Sequence, residues 1–338
     1  MTLAPSGRTL IVQPLPGIGD MVWHLPHIHA IAATTTTGQV DILTKPRSQA
    51  DRLLCADPCV GRILWLERDA GHHAGVRGVF RLAALLRRAN YQRVWFLHAS
   101  ARYVLAAWLA RIPERIGYGI GLQPLLLSTP VKLPAEFRHA SPMVRGDALL
   151  DLLEIPQLEP EPRLPVLATA RHAVAERFSD WPQPWIALGI GSSEPWKQWG
   201  AMRFAELALA LPRCHTGAIF IVGGPGERSL ADEILRRVQD SGGVAVDAVA
   251  LPLEQTAALL ANSRCYIGND TGVLNMAAAL ETPALGLFGG SLPLTHSRFI
   301  YAITPPAGQS GMIAITVARV LETFSRIVQE MADDDPST

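Results

Sequence analysis

The feature that most constrains this chain is a rhythm of short apolar runs and longer helix-like stretches, written out twice. In the first block, residues 9–15, 40–44, 63–66 and 94–97 read as strands, and 21–33, 79–88 and 103–111 as helices. In the second block, strands at 185–190, 218–222, 244–249, 265–267 and 284–288 alternate with helices at 199–211, 227–238, 253–261 and 272–280, and a long helix at 313–331 follows. Strand–helix–strand repeats of this kind require a parallel sheet with crossover helices.

Between the blocks, residues 155–165 carry Pro156, Pro160, Pro162 and Pro165, a spacing that disfavours helix and sheet and suits an exposed linker. A chain of 338 residues exceeds one typical core. Its 49% hydrophobic and 18% charged content suits strands buried on both faces. The expectation is an α/β protein of two Rossmann-like, doubly wound domains, 1–155 and 166–311, facing a central cleft. A closing helix (312–331) and an acidic tail (332–338, with Asp333, Asp334 and Asp335) complete it. In such sheets ligands bind outside the carboxyl ends of the strands. No apolar run is long enough to span a bilayer and residues 1–8 lack a secretion signal, so the expected compartment is the cytoplasm. Cys55, Cys59, Cys214 and Cys265 form no CxxC pair and read as reduced, mostly buried thiols.

Four loops carry side chains suited to chemistry. Pro16-Gly17-Ile18-Gly19-Asp20 follows the first strand and lacks the third glycine of a dinucleotide fingerprint. Asp20 reads either as a helix cap or as a general base at a strand's carboxyl end. In 189–199, Ser192, Ser193 and backbone amides can bind phosphate oxygens, and Lys197 can neutralise a diphosphate, including one that is leaving. Gly268-Asn269-Asp270-Thr271-Gly272 opens a helix whose free amides attract an anion; an ordinary capped turn is the plainer reading. After Val222-Gly223-Gly224-Pro225-Gly226, Glu227 can accept from both hydroxyls of a ribose or simply complement the helix dipole. His24, His27 and His29 lack an acidic partner at ligand spacing, so no metal site is expected there. His72-His73 reads as solvated, and the absence of GxSxG removes a nucleophile elbow.

Taken in order, these segments resemble glycosyltransferase family 9, the heptosyltransferase-type enzymes of the lipopolysaccharide core. The resemblance rests on Gly19-Asp20-Met21-Val22-Trp23-His24-Leu25-Pro26, on Arg115-Ile116-Gly117-Tyr118, and on the two-hydroxyl loop ending Lys197-Gln198-Trp199. It rests most on Asn269-Asp270-Thr271-Gly272 followed by Ala277-Ala278-Ala279-Leu280, Pro283 and Leu287-Phe288-Gly289. It implies the GT-B fold and an inverting, metal-independent sugar transfer without cofactor, with a nucleotide-diphosphate sugar, ADP-heptose, as donor. By that resemblance Asp20 takes the acceptor's proton, Ser192, Ser193 and Lys197 hold phosphates, Glu227 holds the ribose, and Asp270, Thr271 and Gly272 lie at the diphosphate and sugar. One position departs: the family's His three residues after the glycine is Asn275, which cannot become cationic. This leaves open another nucleotide hexose as donor, or a silent nucleotide-sugar-binding protein; an epimerase or hydrolase on the same architecture is a third class.

Residues 1–150 hold 17 Lys/Arg against 9 Asp/Glu, and the remainder reverses that balance. A basic first half suits an anionic glycan or glycolipid acceptor, or an anionic membrane surface, rather than nucleic acid. His98, Arg102, His139 and Arg145 are the candidate acceptor contacts. Residues 76–88, with Arg77, Arg81, Arg87 and Arg88 beside Phe80, Leu82, Leu85 and Leu86, read either as a peripheral contact with the inner membrane or as a core helix with a solvated basic face.

Overall fold

The computed structural model describes residues 7–67, 71–213, 215–294 and 296–333; Cys214 and the acidic tail beyond residue 333 lie outside the described residues. The chain divides into two units, Met1–Pro165 and Val166–Thr338.

In the first unit, β1 (Thr9–Val12), β2 (Val40–Thr44), β3 (Val60–Trp65), β4 (Arg93–Phe96) and β5 (Glu114–Gly117) form one sheet in the order β3-β2-β1-β4-β5. Every pairing is parallel. Strands β1, β2 and β4 are buried along their whole length, as a sheet covered on both faces demands, whereas β3 at the edge is half exposed. The helices are α1 (Ile18–Trp23), α2 (Leu25–Ala33), α3 (Ala50–Leu53), α4 (Gly75–Ala89), α5 (Ala101–Leu109) and α6 (Pro142–Leu152). Leu82 and Leu86 of α4 pack with Val104 and Ala107 of α5 onto Leu10, Val94 and Phe96 of the sheet.

The single helix expected over 21–33 is in fact two. It starts earlier, at Ile18, and breaks at His24, whose backbone (φ −92°, ψ 0°) leaves the helical region just before Pro26 enters α2. Proline offers no N–H to the preceding turn, so the break falls there.

In the second unit, α7 (Ala168–Arg177) precedes β6 (Trp185–Gly189), followed by α8 (Ala201–Ala210), β7 (Ile219–Gly223), α9 (Arg228–Asp240), β8 (Val246–Val249), α10 (Leu253–Ala261), β9 (Ser263–Asn269), α11 (Gly272–Ala279), β10 (Ala284–Leu287), β11 (Ile300–Ile303) and α12 (Val317–Asp333). The sheet order is β11-β10-β9-β6-β7-β8, again wholly parallel. The segment after 284–288 thus holds one more strand than expected: β11 extends the sheet beyond β10. Helix α12 packs Val320, Phe324 and Ile327 into the same core as Phe204 and Leu207 of α8.

Both sheets share one winding. The chain moves outward from β1 to β3, then returns to place β4 on the other side of β1; β6 to β9 repeat the manoeuvre. The crevice at such a reversal lies outside the carboxyl ends of the two central strands. In the first unit those strands are β1 and β4, in the second β6 and β9. Asp20 follows β1, Lys197 follows β6 and Asp270 follows β9.

Candidate active site

In the second unit the register Gly189↔Gly268 aligns the ends of β6 and β9, so the loops that follow leave the sheet side by side. Both glycines are dictated by packing: a Cβ on Gly189 or Gly268 would lie 1.9 or 2.4 Å from the hydroxyl oxygen of buried Tyr266. Asn269, fully buried, then ties the two loops together. Its Nδ2 donates to the carbonyls of Ile190 and Gly191 and to Gln198 Oε1, each at 3.1 Å, and its Oδ1 accepts from Trp199 N–H at 3.2 Å. Across this brace Lys197 Nζ donates to Asp270 Oδ2 at 2.8 Å, with 20% and 12% of the two side chains exposed. Lys197 also lies 5.0 Å from the ring centroid of Trp196.

Thr271 caps α11 in extended conformation without a side-chain hydrogen bond to the helix, and Gly272 is the first residue of α11. Asn275 is buried and its Nδ2 donates back to Thr271 O at 3.1 Å. Ser192 Oγ donates to Glu194 O at 2.8 Å, folding its own loop, while Ser193 is exposed beside it. Glu227 Oε2 accepts from Gly224 N–H at 2.8 Å, in the capping arrangement of the short 3-10 turn Pro225–Glu227 that leads into α9. A Cβ on Gly191 would lie 3.5 Å from the Glu227 carboxyl carbon, so Glu227 also borders the β6 loop. The structure therefore brings the β6, β7 and β9 loops together.

In the first unit Asp20 is the third residue of α1, not its cap; Gly17 occupies the cap. Asp20 Oδ2 accepts from Gly17 N–H at 2.9 Å, and a Cβ on Gly17 would meet that oxygen at 2.7 Å. Burial pushes the Asp20 carboxyl above the ordinary carboxylate range, against the opposing pull of the Gly17 N–H and the positive charge of Arg47. A carboxylate so raised is a better base than a solvated one.

The four acceptor candidates are dispersed over the same unit. His98 follows β4 and its Nδ1 accepts from Ser100 N–H at 3.0 Å. Arg102 donates to the carbonyls of His73 and Gly75, both at 2.6 Å, and Arg145 donates twice to Ala140 O at 3.0 and 2.7 Å. Both arginines thus brace backbone. His139 is exposed on a short 3-10 turn.

Four lesser readings change. His73 is buried, not solvated; its Nδ1 accepts from Glu67 N–H at 3.1 Å, and burial lowers its pKa. Cys55 is exposed and Cys59 half-buried, leaving Cys265 as the buried thiol among those described. Leu82 and Leu86 face the core, so the large apolar groups that α4 leaves exposed are Val76 and Phe80. His29, for which no acidic partner was read at ligand spacing, finds Asp57 at 2.8 Å with Cys59 beside it; the Asp57 carboxylate is already shared between His29 and the Cys59 N–H. Sequence reasoning missed Tyr266 as the reason for two glycines and His24 as a partner of Asp20; neither is visible without the packing.

No helix among the described residues is long and apolar enough to cross a membrane. The chain is 27% identical over 277 residues to lipopolysaccharide heptosyltransferase 2 of Salmonella typhimurium, covering 74% of this chain and 79% of that one. Its structure is similar to that of the Escherichia coli ADP-heptose LPS heptosyltransferase II (TM-score 0.77, 23% identity, 96% and 99% of the two chains). It is also similar to that of a family 9 glycosyltransferase from Veillonella parvula (TM-score 0.80, 18% identity, 98% and 99% covered). These neighbours share its fold, the GT-B arrangement of two Rossmann-like units. The family model for glycosyltransferase family 9 (heptosyltransferase) matches residues 79–312, more than half of the sequence. The chain belongs to that family and is a glycosyltransferase.

Proposed function

We propose that this enzyme transfers a heptose from ADP-heptose to an anionic lipopolysaccharide-core glycolipid, with inversion at the anomeric carbon. The observation that carries the reading is the pairing of Lys197 with Asp270 at the reversal point of the second sheet, beside the free amides that open α11. An ammonium group and a helix start together favour a diphosphate, and Asp270 holds the lysine in place.

In this scheme the second unit binds the donor. Ser192, Ser193, Thr271 and the Gly272 amide contact phosphate oxygens, Lys197 neutralises charge as the nucleoside diphosphate departs, and Glu227 accepts from the ribose. Asp270 and Asn275 border the sugar. The acceptor hydroxyl attacks the anomeric carbon, its proton passes to Asp20, and the bond from that carbon to the phosphate oxygen breaks. His98, Arg102, His139 and Arg145 supply the acceptor side, and α4 supplies a peripheral membrane contact. The heptose and the acceptor are drawn from what the relatives' names state. The Asn275 departure favours one second reading, another nucleotide hexose as donor.

The test is a donor panel on purified enzyme: ADP-heptose beside ADP-, GDP-, UDP- and dTDP-hexoses, with a heptose-acceptor glycolipid core. ADP-heptose should give product with release of ADP. Product from a hexose donor alone would select the second reading, and binding without product from any donor would remove the transferase assignment of substrate.

A further inference from the structure

Behind Asp20 lies a buried pair of donors that the scheme above does not use. In an unbroken helix the Asp20 carbonyl would accept from the N–H of residue 24. Here the helix breaks, His24 N–H turns to Met21 O at 3.1 Å, and the Asp20 carbonyl loses that partner. Two side chains replace it: His24 Nδ1 donates to Asp20 O at 2.6 Å, and Gln13 Nε2 donates to the same oxygen at 3.3 Å. Both residues are fully buried. Gln13 is itself fixed at the end of β1, its Oε1 accepting from Thr44 Oγ1 at 3.2 Å.

The bond also fixes the tautomer. A carbonyl only accepts, so the His24 proton resides on Nδ1. The opposite tautomer would turn the Nδ1 lone pair against the carbonyl oxygen at 2.6 Å. His24 Nε2 is left buried without a hydrogen-bond partner among the described residues. An apolar side chain of similar shape would avoid that cost but leave the Asp20 carbonyl to Gln13 alone at 3.3 Å, so what the imidazole supplies here is the Nδ1–H bond to that carbonyl. Next to it, ring centroids 5.4 Å apart, His27 donates from Nε2 to Asp147 Oδ1 at 2.9 Å and fastens the helix break to α6.

We propose that His24 is a positioning residue for the Asp20 base, acting through the Asp20 carbonyl to set the last turn of α1 and the aim of its carboxylate. The inference rests on Asp20 being the base. With the backbone carbonyl held by His24 and Gln13, and Oδ2 held by the Gly17 N–H, Oδ1 is the oxygen left to receive a proton.

The first test needs no variant. Long-range 1H–15N spectra of the histidine-labelled full chain at neutral pH should show one ring as the neutral Nδ1–H tautomer, and that signal should vanish in His24→Asn. An Nε2–H tautomer for His24 overturns the proposal. The second test is kinetic. His24→Leu should lower kcat by roughly 100-fold, the scale of a small misplacement of a reacting group, with the donor KM within about twofold of the wild type. His24→Asn, whose amide can donate from the same side, should recover at least about tenfold of that loss. Gln13→Met, a milder lesion of the same bond, should show a kcat-only loss of about three- to tenfold and serves if Leu at position 24 does not fold. Wild-type kcat in His24→Leu, no rescue by Asn, or a loss confined to donor KM each overturns the proposal. Asp20→Asn run beside them separates the two ideas. If it is inactive while His24→Leu is not, positioning alone fails; if it turns over normally, the base assignment fails and takes this inference with it.

Discussion

Asp20 carries its charge in a place that disfavours charge. Burial raises its pKa in the folded protein above the unfolded value, so the native state binds the proton more tightly than the unfolded chain does. Its contribution to stability is therefore fully present below the unfolded pKa and lost as pH rises through the folded one. At neutral pH the ionised side chain is a net cost. Asp20→Asn keeps an oxygen for the Gly17 N–H and removes the charge, so two effects of opposite sign are expected at once. Turnover should fall by roughly 100- to 10,000-fold, the usual reach of general base catalysis, and thermal unfolding at pH 7.5 should move to higher temperature, with the gap between variant and wild type closing as the pH is taken down toward 4. In the wild type the acid limb of kcat/KM should fall at a pH above that of a solvated carboxylate. A variant that is inactive and also less stable at neutral pH would show that the carboxylate is structural. His24 behaves in the reverse sense: burial, first, and the neighbouring His27 lower its pKa from 6.5 to about 3. It contributes stability above pH 6.5 that is lost as pH falls toward 3, so the imidazole is neutral wherever the enzyme is assayed.

At the scale of elements, the break between α1 and α2 matters because it sets how α1 presents Asp20, and α6 holds that break. Gly146 of α6 abuts the His27 ring so closely that a Cβ would lie 2.5 Å from Nε2 and 2.6 Å from Cδ2. Alanine in a helix gains about 1 kcal/mol over glycine, but overpacking a buried ring costs about 1–3 kcal/mol. Gly146→Ala should therefore lower the urea midpoint by the equivalent of up to about 2 kcal/mol with an unchanged m-value; a raised midpoint would mean that the ring moves aside freely. None of this was legible from sequence. Pro26 hinted at a boundary, but residues 21–33 are apolar enough to read as one helix, and the partners of the break, Gly146 and Asp147, lie some 120 residues away. What was legible is what periodicity and local chemistry encode: the buried strands β2 and β10, the helix α10, and the loops after β6 and β9. Strand β11 escaped because Ile300-Tyr301-Ala302-Ile303 is half exposed at a sheet edge and carries no buried run. Lys197 and Asp270 were each singled out as separate ligands, but their ion pair depends on two strands aligned in register, which no local window contains.

For the whole molecule the informative quantity is where the charge and the exposed apolar surface fall. The surplus of Lys/Arg lies in residues 1–150, and α4 in that unit exposes Val76 (74%) and Phe80 (59%) next to Arg77 and Arg81, while its Leu82 and Leu86 hold the core. A Phe with more than half of its surface exposed between arginines is costly in water and well suited to an anionic lipid interface, where the ring enters the headgroup region and each basic side chain near the surface adds about 1 kcal/mol. The membrane contact proposed for α4 thus has two separable components. Co-sedimentation with vesicles containing phosphatidylglycerol should exceed that with neutral phosphatidylcholine and weaken steeply between 50 and 300 mM salt, since the screening length shrinks over that range. Phe80→Ser should reduce the binding that survives at high salt, and Arg77→Gln with Arg81→Gln should reduce binding at low salt. All three substitutions lie on exposed positions of α4, so turnover of a water-soluble acceptor fragment should be unaffected by them. Equal binding to neutral and anionic vesicles, or binding that ignores both kinds of substitution, would place the basic surplus of the first unit in the service of the acceptor rather than the membrane.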